Sequence, residues 1–310
     1  MTARIDVDAA TAPTFPAGDV LERRLVRSDG RTVAWAEAGS NGGQPILRIP
    51  GTPSSRLMIR ADRLWADRGF RMIITERPGM GASTPHPGRG FLDHADDLVA
   101  ILDDVGLERV PVIGVSGGGP YALALAAAHP DRVQAVSVVG GAAPITDDEA
   151  DLMIGLNADG YRLAQAGDRD GLVRLLTPQR EVALEDPLAG FRAAMATAPA
   201  SDQAIMADPG WQAMLTTSLR EALRQGVVGW VDEGSLMFSG WQALNITAVG
   251  ASVTWWHGEH DRNVPLAAVE RLIARLPNAR LIRWADAGHL TSYLHEGDIL
   301  DELLARAGPA

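Results

Sequence analysis

The sequence predicts an α/β fold: a mostly parallel sheet with helices on both faces and a helical segment inserted after the strand at 133–139. Three observations carry this reading. Short apolar strands alternate with helical patterns, which implies crossovers covering both faces of a parallel sheet. The alternation breaks from about residue 143 to residue 243, where the composition is helical and no strand stands out. A crossover needs only a dozen or so residues, so this stretch is an insertion with structure of its own. Finally, Gly114-Val115-Ser116-Gly117-Gly118 sits where a strand gives way to an alanine-rich helix.

The elements follow in order. Residues 1–20 are rich in Ala, Thr, Pro and Asp without periodicity and read as a loose arm. Residues 31–39 alternate at period two and end in a Gly-Ser-Asn-Gly-Gly turn, a strand signature. A second strand at 45–49 stops at Pro50-Gly51-Thr52-Pro53, and a helix of mixed face is expected over 55–68. A third strand at 72–75 leads into Glu76-Arg77-Pro78-Gly79-Met80-Gly81. Apolar residues at 91, 92, 95, 98, 99, 102 and 105 have the period of a helix. The strand at 110–115, the helix at 121–128 and the strand at 133–139 complete the first half. After the insertion come a strand at 252–256, a helix at 265–276, a strand at 280–284 and a final helix at 299–307.

Composition narrows the function. The chain has 310 residues, is 46% hydrophobic and carries a net charge of -11, which argues against nucleic acid and anionic membranes as partners. It has no cysteine, so disulfides, thiol nucleophiles and cysteine-ligated metals are excluded. Asp6, Asp8 and Asp19 interrupt the first twenty residues, which lack the apolar run of a secretory leader, and no apolar stretch could span a bilayer. A cytoplasmic protein with a small-molecule substrate is expected; composition leaves its oligomeric state open.

Chemistry centres on Ser116. A serine on a strand-to-helix turn is pushed out of the sheet edge, where the first unpaired amides of the helix suit a developing oxyanion. The same glycine-rich turn could cradle a phosphate, but no lysine follows it as in a P-loop. A serine hydroxyl needs a base, and the base needs a third group to hold its tautomer. Two later strand ends offer them: Asp261 after the strand at 252–256, and His289 after the strand at 280–284. Their separation suits one helix plus one strand, and the order Ser116, Asp261, His289 fits this architecture. His260 is the competing imidazole and Glu259 the competing acid. Asp261 has a purely structural alternative as the cap of the following helix.

These residues resemble the α/β-hydrolase superfamily from about residue 21 onward. Pro50-Gly51-Thr52-Pro53 resembles the family's His-Gly-x-Pro-like segment, with Pro50 where histidine is frequent. The stretch from Glu76 to Ser83 resembles its Asp-Arg-Pro-Gly-x-Gly-x-Ser segment, with glutamate for aspartate. The resemblance implies an oxyanion hole from the amides of Thr52 and Gly117. It also implies an eight-stranded, mostly parallel sheet in a core at 21–143 and 244–310, with 144–243 as a helical cap inserted after the sixth strand. A serine nucleophile separates the chain from relatives that attack with a carboxylate, and no H-E-x-x-H metal motif occurs.

The implied activity is hydrolysis of carboxylic esters of small to medium, mainly apolar substrates through an acyl-enzyme, with neither cofactor nor metal. Trp211, Trp230 and Trp241 are the candidate substrate contacts in the cap, among several Met and Phe. Asp232 and Glu233 read as solvated surface or as a site for a cationic group. The same scaffold supports other chemistries: cleavage after N-terminal proline, lactone opening, C–C bond hydrolysis, cofactor-free perhydrolysis, and ligand reception without turnover.

Overall fold

The computed structural model describes residues 20–60, 62–196 and 198–308; the expected arm at 1–20 lies almost wholly outside them. Eight strands form one sheet in the order β1-β2-β4-β3-β5-β6-β7-β8. They are β1 Leu21–Val26, β2 Thr32–Gly39, β3 Gln44–Ile49, β4 Phe70–Thr75, β5 Val110–Val115, β6 Val133–Val139, β7 Ser252–Gly258 and β8 Ala279–Trp284. β2 runs antiparallel to β1 and β4, and every other neighbouring pair is parallel. The eight-stranded, mostly parallel sheet is therefore present. β1 escapes the periodicity because its Leu-Glu-Arg-Arg-Leu-Val run is a charged edge strand with Leu21 exposed.

Strand geometry alone sorts the core into two layers, since successive side chains point to opposite faces. Trp35, Leu47, Ile73, Val112 and Trp255 pack on one face; their neighbours Ala36, Ile46, Ile74, Ile113 and Trp256 pack on the other. The first layer is covered by α2 Phe91–Asp104, α3 Gly119–Ala128 and α11 Leu266–Ile273. The second is covered by the single turn α1 Leu64–Asp67 and by α12 Glu296–Ala307. Helix α3 is buried from Gly119 through Ala126, which explains why its sequence shows no polar face.

Between β6 and β7 the chain runs through α4 Asp147–Ala150, α5 Gly155–Gln165, α6 Arg169–Glu185, α7 Ala189–Ala194, α8 Ala200–Met206, α9 Pro209–Ala222 and α10 Val228–Ser239. Local signals set several of these starts. Asp168 and Asp208 cap α6 and α9 by accepting from Gly171 and Trp211 N–H, at 2.7 Å each, and Pro209 opens α9.

The helix expected over 55–68 shrinks to the one turn of α1. Tertiary contacts override its pattern. Arg56 is buried and binds Glu76 at 2.8 Å, Glu221 at 2.6 Å and Glu22 at 2.9 Å. Ser54 and Ser55 meet the Ser218 hydroxyl on α9 at 2.9 Å. These partners from three elements draw the segment into an irregular path.

A second buried carboxylate fastens the β1–β2 turn to α2. Asp97 takes two bonds from Arg31, at 2.8 and 3.0 Å, and has Arg27 at 3.3 Å. Burial alone would raise its carboxyl; His94 and Arg31 outweigh it and hold the group well below the usual carboxylate range. Its stabilisation is therefore complete above the unfolded-state pKa and is lost as pH falls toward the depressed one. Asp97→Asn should cost about 3 kcal/mol in urea unfolding at pH 7, and the gap to wild type should narrow below about pH 4. An unchanged midpoint at pH 7 would refute this role.

Candidate active site

The parallel strands end at one edge of the sheet: Ile49 pairs with Gly114, Val115 with Val139, Val139 with Trp256 and Gly258 with Trp284. In open sheets this carboxyl edge is where ligands bind. Ser116 follows β5 directly with a φ of 50°, a left-handed conformation that costs a non-glycine residue about 1–2 kcal/mol. The flanking glycines have a steric cause. A β-carbon on Gly114 would fall 2.7 Å from the Gly118 carbonyl oxygen, and one on Gly118 would fall 2.1 Å from that of Ile49.

His289 and Asp261 arrive at the same point from the ends of β8 and β7. His289 Nε2 lies 3.0 Å from Ser116 Oγ, and His289 Nδ1 lies 2.7 Å from Asp261 Oδ2. Asp261 Oδ1 accepts from the N–H groups of Asn263 and Val264, at 2.7 and 3.0 Å. Burial pushes the Asp261 carboxyl up, but the imidazole and these donors outweigh it, so it sits below its ordinary value. An ionised carboxylate only accepts, so Nδ1–H must donate to it and Nε2 is left to accept from the serine hydroxyl. Burial disfavours the imidazolium, yet Asp261 more than compensates and His289 titrates above its ordinary value.

The competing residues fall elsewhere. His260 and Glu259 are exposed, and His260 faces Asp286 at 3.6 Å. His257 is buried and bonded to the Val264 carbonyl at 2.9 Å, with burial lowering its pKa.

Thr52 and Gly117 line the cavity beside Ser116, and a β-carbon on Gly117 would lie 3.5 Å from the Thr52 nitrogen. The turn carrying Thr52 is held by Arg77, which donates to Pro50 O at 2.6 Å, to Gly51 O and to Thr52 Oγ1 at 2.9 Å. Arg77 in turn bonds Glu233 of α10 at 2.7 Å, and Thr52 Oγ1 donates to the same carboxylate at 2.9 Å. Arg89 and the Tyr121 hydroxyl occupy its other oxygen. Burial would raise the Glu233 carboxyl, but the two guanidinium groups bring it down to about 2. Glu233 is fully buried, which overturns its reading as solvated surface; the cations it binds belong to the chain itself. The signal lay in Arg77, a buried cation within a tight turn that required an acid from outside its own segment. Asp232 pairs with Arg169 at 2.8 Å.

A cavity of about 310 Å³ opens above Ser116 and His289. Its wall is mainly apolar, with Met153, Met195, Phe191 and Met214 from the inserted helices. Trp211 and Trp230 line it, but Trp241 does not. Trp241 follows α10, meets Phe91 of α2 at a tilt with ring centroids 5.6 Å apart and donates to the Met237 carbonyl at 2.7 Å, so its half-buried indole packs against the core layer. Among the described residues no group of three or more His, Asp or Glu is placed to hold a metal ion, and no helix is long and apolar enough to cross a membrane.

Known proteins resemble this chain in sequence and in fold. A hydrolase of 2-hydroxy-6-oxononadienedioate and 2-hydroxy-6-oxononatrienedioate from Paraburkholderia phymatum is 27% identical over 250 residues, covering 79% of each chain. A thermophilic esterase from Thermogutta terrifontis superposes with a TM-score of 0.65 at 19% identity, covering 93% of this chain and 99% of its own. An alpha/beta hydrolase fold protein from Nakamurella multipartita does so with a TM-score of 0.62 at 23% identity, covering 93% and 100%. The family model described as alpha/beta hydrolase fold matches residues 44–296, which takes in the Thr52 turn, the serine elbow and the strand ends bearing Asp261 and His289. By that match, and by a sheet whose order and carboxyl edge accommodate it, the chain belongs to the alpha/beta hydrolase fold family.

Proposed function

We propose that the chain is a serine hydrolase of carboxylic esters with small to medium, mainly apolar groups, working through an acyl-enzyme. One observation carries the proposal: the Ser116–His289–Asp261 chain of hydrogen bonds, at 3.0 and 2.7 Å, at the wall of a largely apolar cavity. In this reading the Ser116 hydroxyl attacks the ester carbonyl while its proton passes to His289 Nε2, and Asp261 steadies the imidazolium. The amides of Thr52 and Gly117 receive the oxyanion. Protonated His289 returns its proton to the departing alkoxide, and water then releases the acid by the same route in reverse. Residues 144–243 act as a cap that closes the chamber over the serine.

A second reading, C–C bond hydrolysis of a dienoate, is favoured by the name of the Paraburkholderia relative. A dicarboxylate substrate asks for cations in the wall. Arg48 is the one arginine or lysine among the described residues lining the cavity, and it is bound to Glu296 at 2.5 Å. Charge thus supports the neutral ester over the dienedioate. Assaying p-nitrophenyl esters of increasing acyl length beside a 2-hydroxy-6-oxodienoate decides between them. The ester reading requires the higher kcat/KM on an ester.

Ser116→Ala should lose at least a thousandfold in kcat while unfolding at nearly the wild-type temperature, and should no longer react with a fluorophosphonate probe. Wild-type turnover by that variant would end the assignment. His289 works only when neutral and its pKa is raised, so kcat/KM should fall with decreasing pH along a limb centred above the usual imidazole value of about 6.5. A flat profile from about pH 5 to 8 contradicts this. Glu233→Gln should leave Arg77 and Arg89 underpaired, cost about 3–5 kcal/mol of stability and lower kcat through the Thr52 turn. Calorimetry and ester kinetics on the same sample check both effects.

A further inference from the structure

We propose that Asp202, on α8 of the inserted segment, is a positioning residue for the His289 imidazole, so that the insertion completes the base that activates Ser116. The proposal rests on the serine-hydrolase reading above. Asp202 lies far from His289 in sequence, is fully buried and reaches under the loop that carries the imidazole. Its Oδ1 accepts from Leu290 N–H at 3.2 Å and from the Thr291 hydroxyl at 3.3 Å. The two residues that directly follow the histidine are thus gathered on one carboxylate oxygen.

The second oxygen is more telling. Oδ2 is buried, lies against Gly288 and has no hydrogen-bond partner among the described residues. A tether alone would satisfy both oxygens, because an unpaired buried charge is costly. Here Oδ2 lies against the Gly288 backbone, next to His289; burial pushes the Asp202 carboxyl up, and the positive ring that forms during catalysis opposes that rise. The charged and titratable groups around the ring are Asp261 beyond β7, His257 on β7, which burial keeps neutral, Asp202 on α8 and the Ser116 hydroxyl. Two carboxylates therefore hold the His289 loop from distant parts of the chain. Asp261 bonds it directly, and Asp202 fixes the backbone that presents it.

The test compares full-length wild type with Asp202→Asn, which keeps shape and one acceptor but removes the charge. The His289 ring resonance, identified by its loss in His289→Gln, is titrated by NMR while ester kinetics are followed across pH. The proposal expects the His289 midpoint and the acid limb of kcat/KM to move down together, by roughly half a pH unit. It expects kcat to fall about tenfold, less than a full ångström of misplacement would bring, with KM within about twofold. Superimposable titrations in the two proteins would overturn it, even if the variant is slower. Should Asp202→Asn not fold, Thr291→Val carries the test by removing one donor and leaving the charge. Its kcat should then drop several-fold with KM and the acid limb unmoved, and an unaltered kcat would overturn the proposal. If Ser116→Ala still turns over ester, the nucleophile assignment fails by itself, and the NMR midpoints continue to report on Asp202.

Discussion

The carboxylate of Glu233 is the point on which the arrangement depends. It sits in a space closed to water and gathers Arg77, Arg89, Thr52 and Tyr121 from separate stretches of the chain. Desolvating one carboxylate and two guanidinium groups costs several kcal/mol per ion, and close pairing is needed to offset it. Both Glu233 oxygens find their partners with α10 seated over the turn after β3. The pairing therefore does more than add stability: it selects a single placement of the inserted helices on the sheet. The Thr52 turn, the cavity roof and the approach to Ser116 are consequences of that placement.

The site combines a strained element with a strongly fixed one. Ser116 keeps a left-handed backbone because strand β5 and the buried helix α3 leave no room to relax it. The imidazole loop, in contrast, is held by hydrogen bonds: Asp261 on the ring and Asp202 on the backbone. Strain exposes the hydroxyl and the bonds fix the imidazole beside it. Neither arrangement calls for movement of the sheet.

Much of this was legible in the residues, for reasons that differ from case to case. The elbow could be read because its glycines answer to contacts within a few residues and across one neighbouring strand. The strand ends bearing Asp261 and His289 could be read because a parallel sheet returns every strand to the same edge. What escaped depends on contacts between distant segments. The expected helix at 55–68 gave way to Arg56, whose three acids come from β1, the turn after β4 and α9. Trp241 looked like Trp211 and Trp230 by composition, but only the position of α2 decides that its ring turns inward. Asp202 and Glu233 carry no local signature, since each answers to a partner more than eighty residues away.

Two acids of the inserted segment thus reach the surroundings of the serine, Glu233 at the Thr52 turn and Asp202 at the His289 loop. A chimera that took its helices from a relative would receive a new chamber, yet would also inherit or forfeit both attachments. Exchanging these helices means carrying those two side chains along with any transplanted segment, because the cavity wall and the loops beside Ser116 are not independent parts.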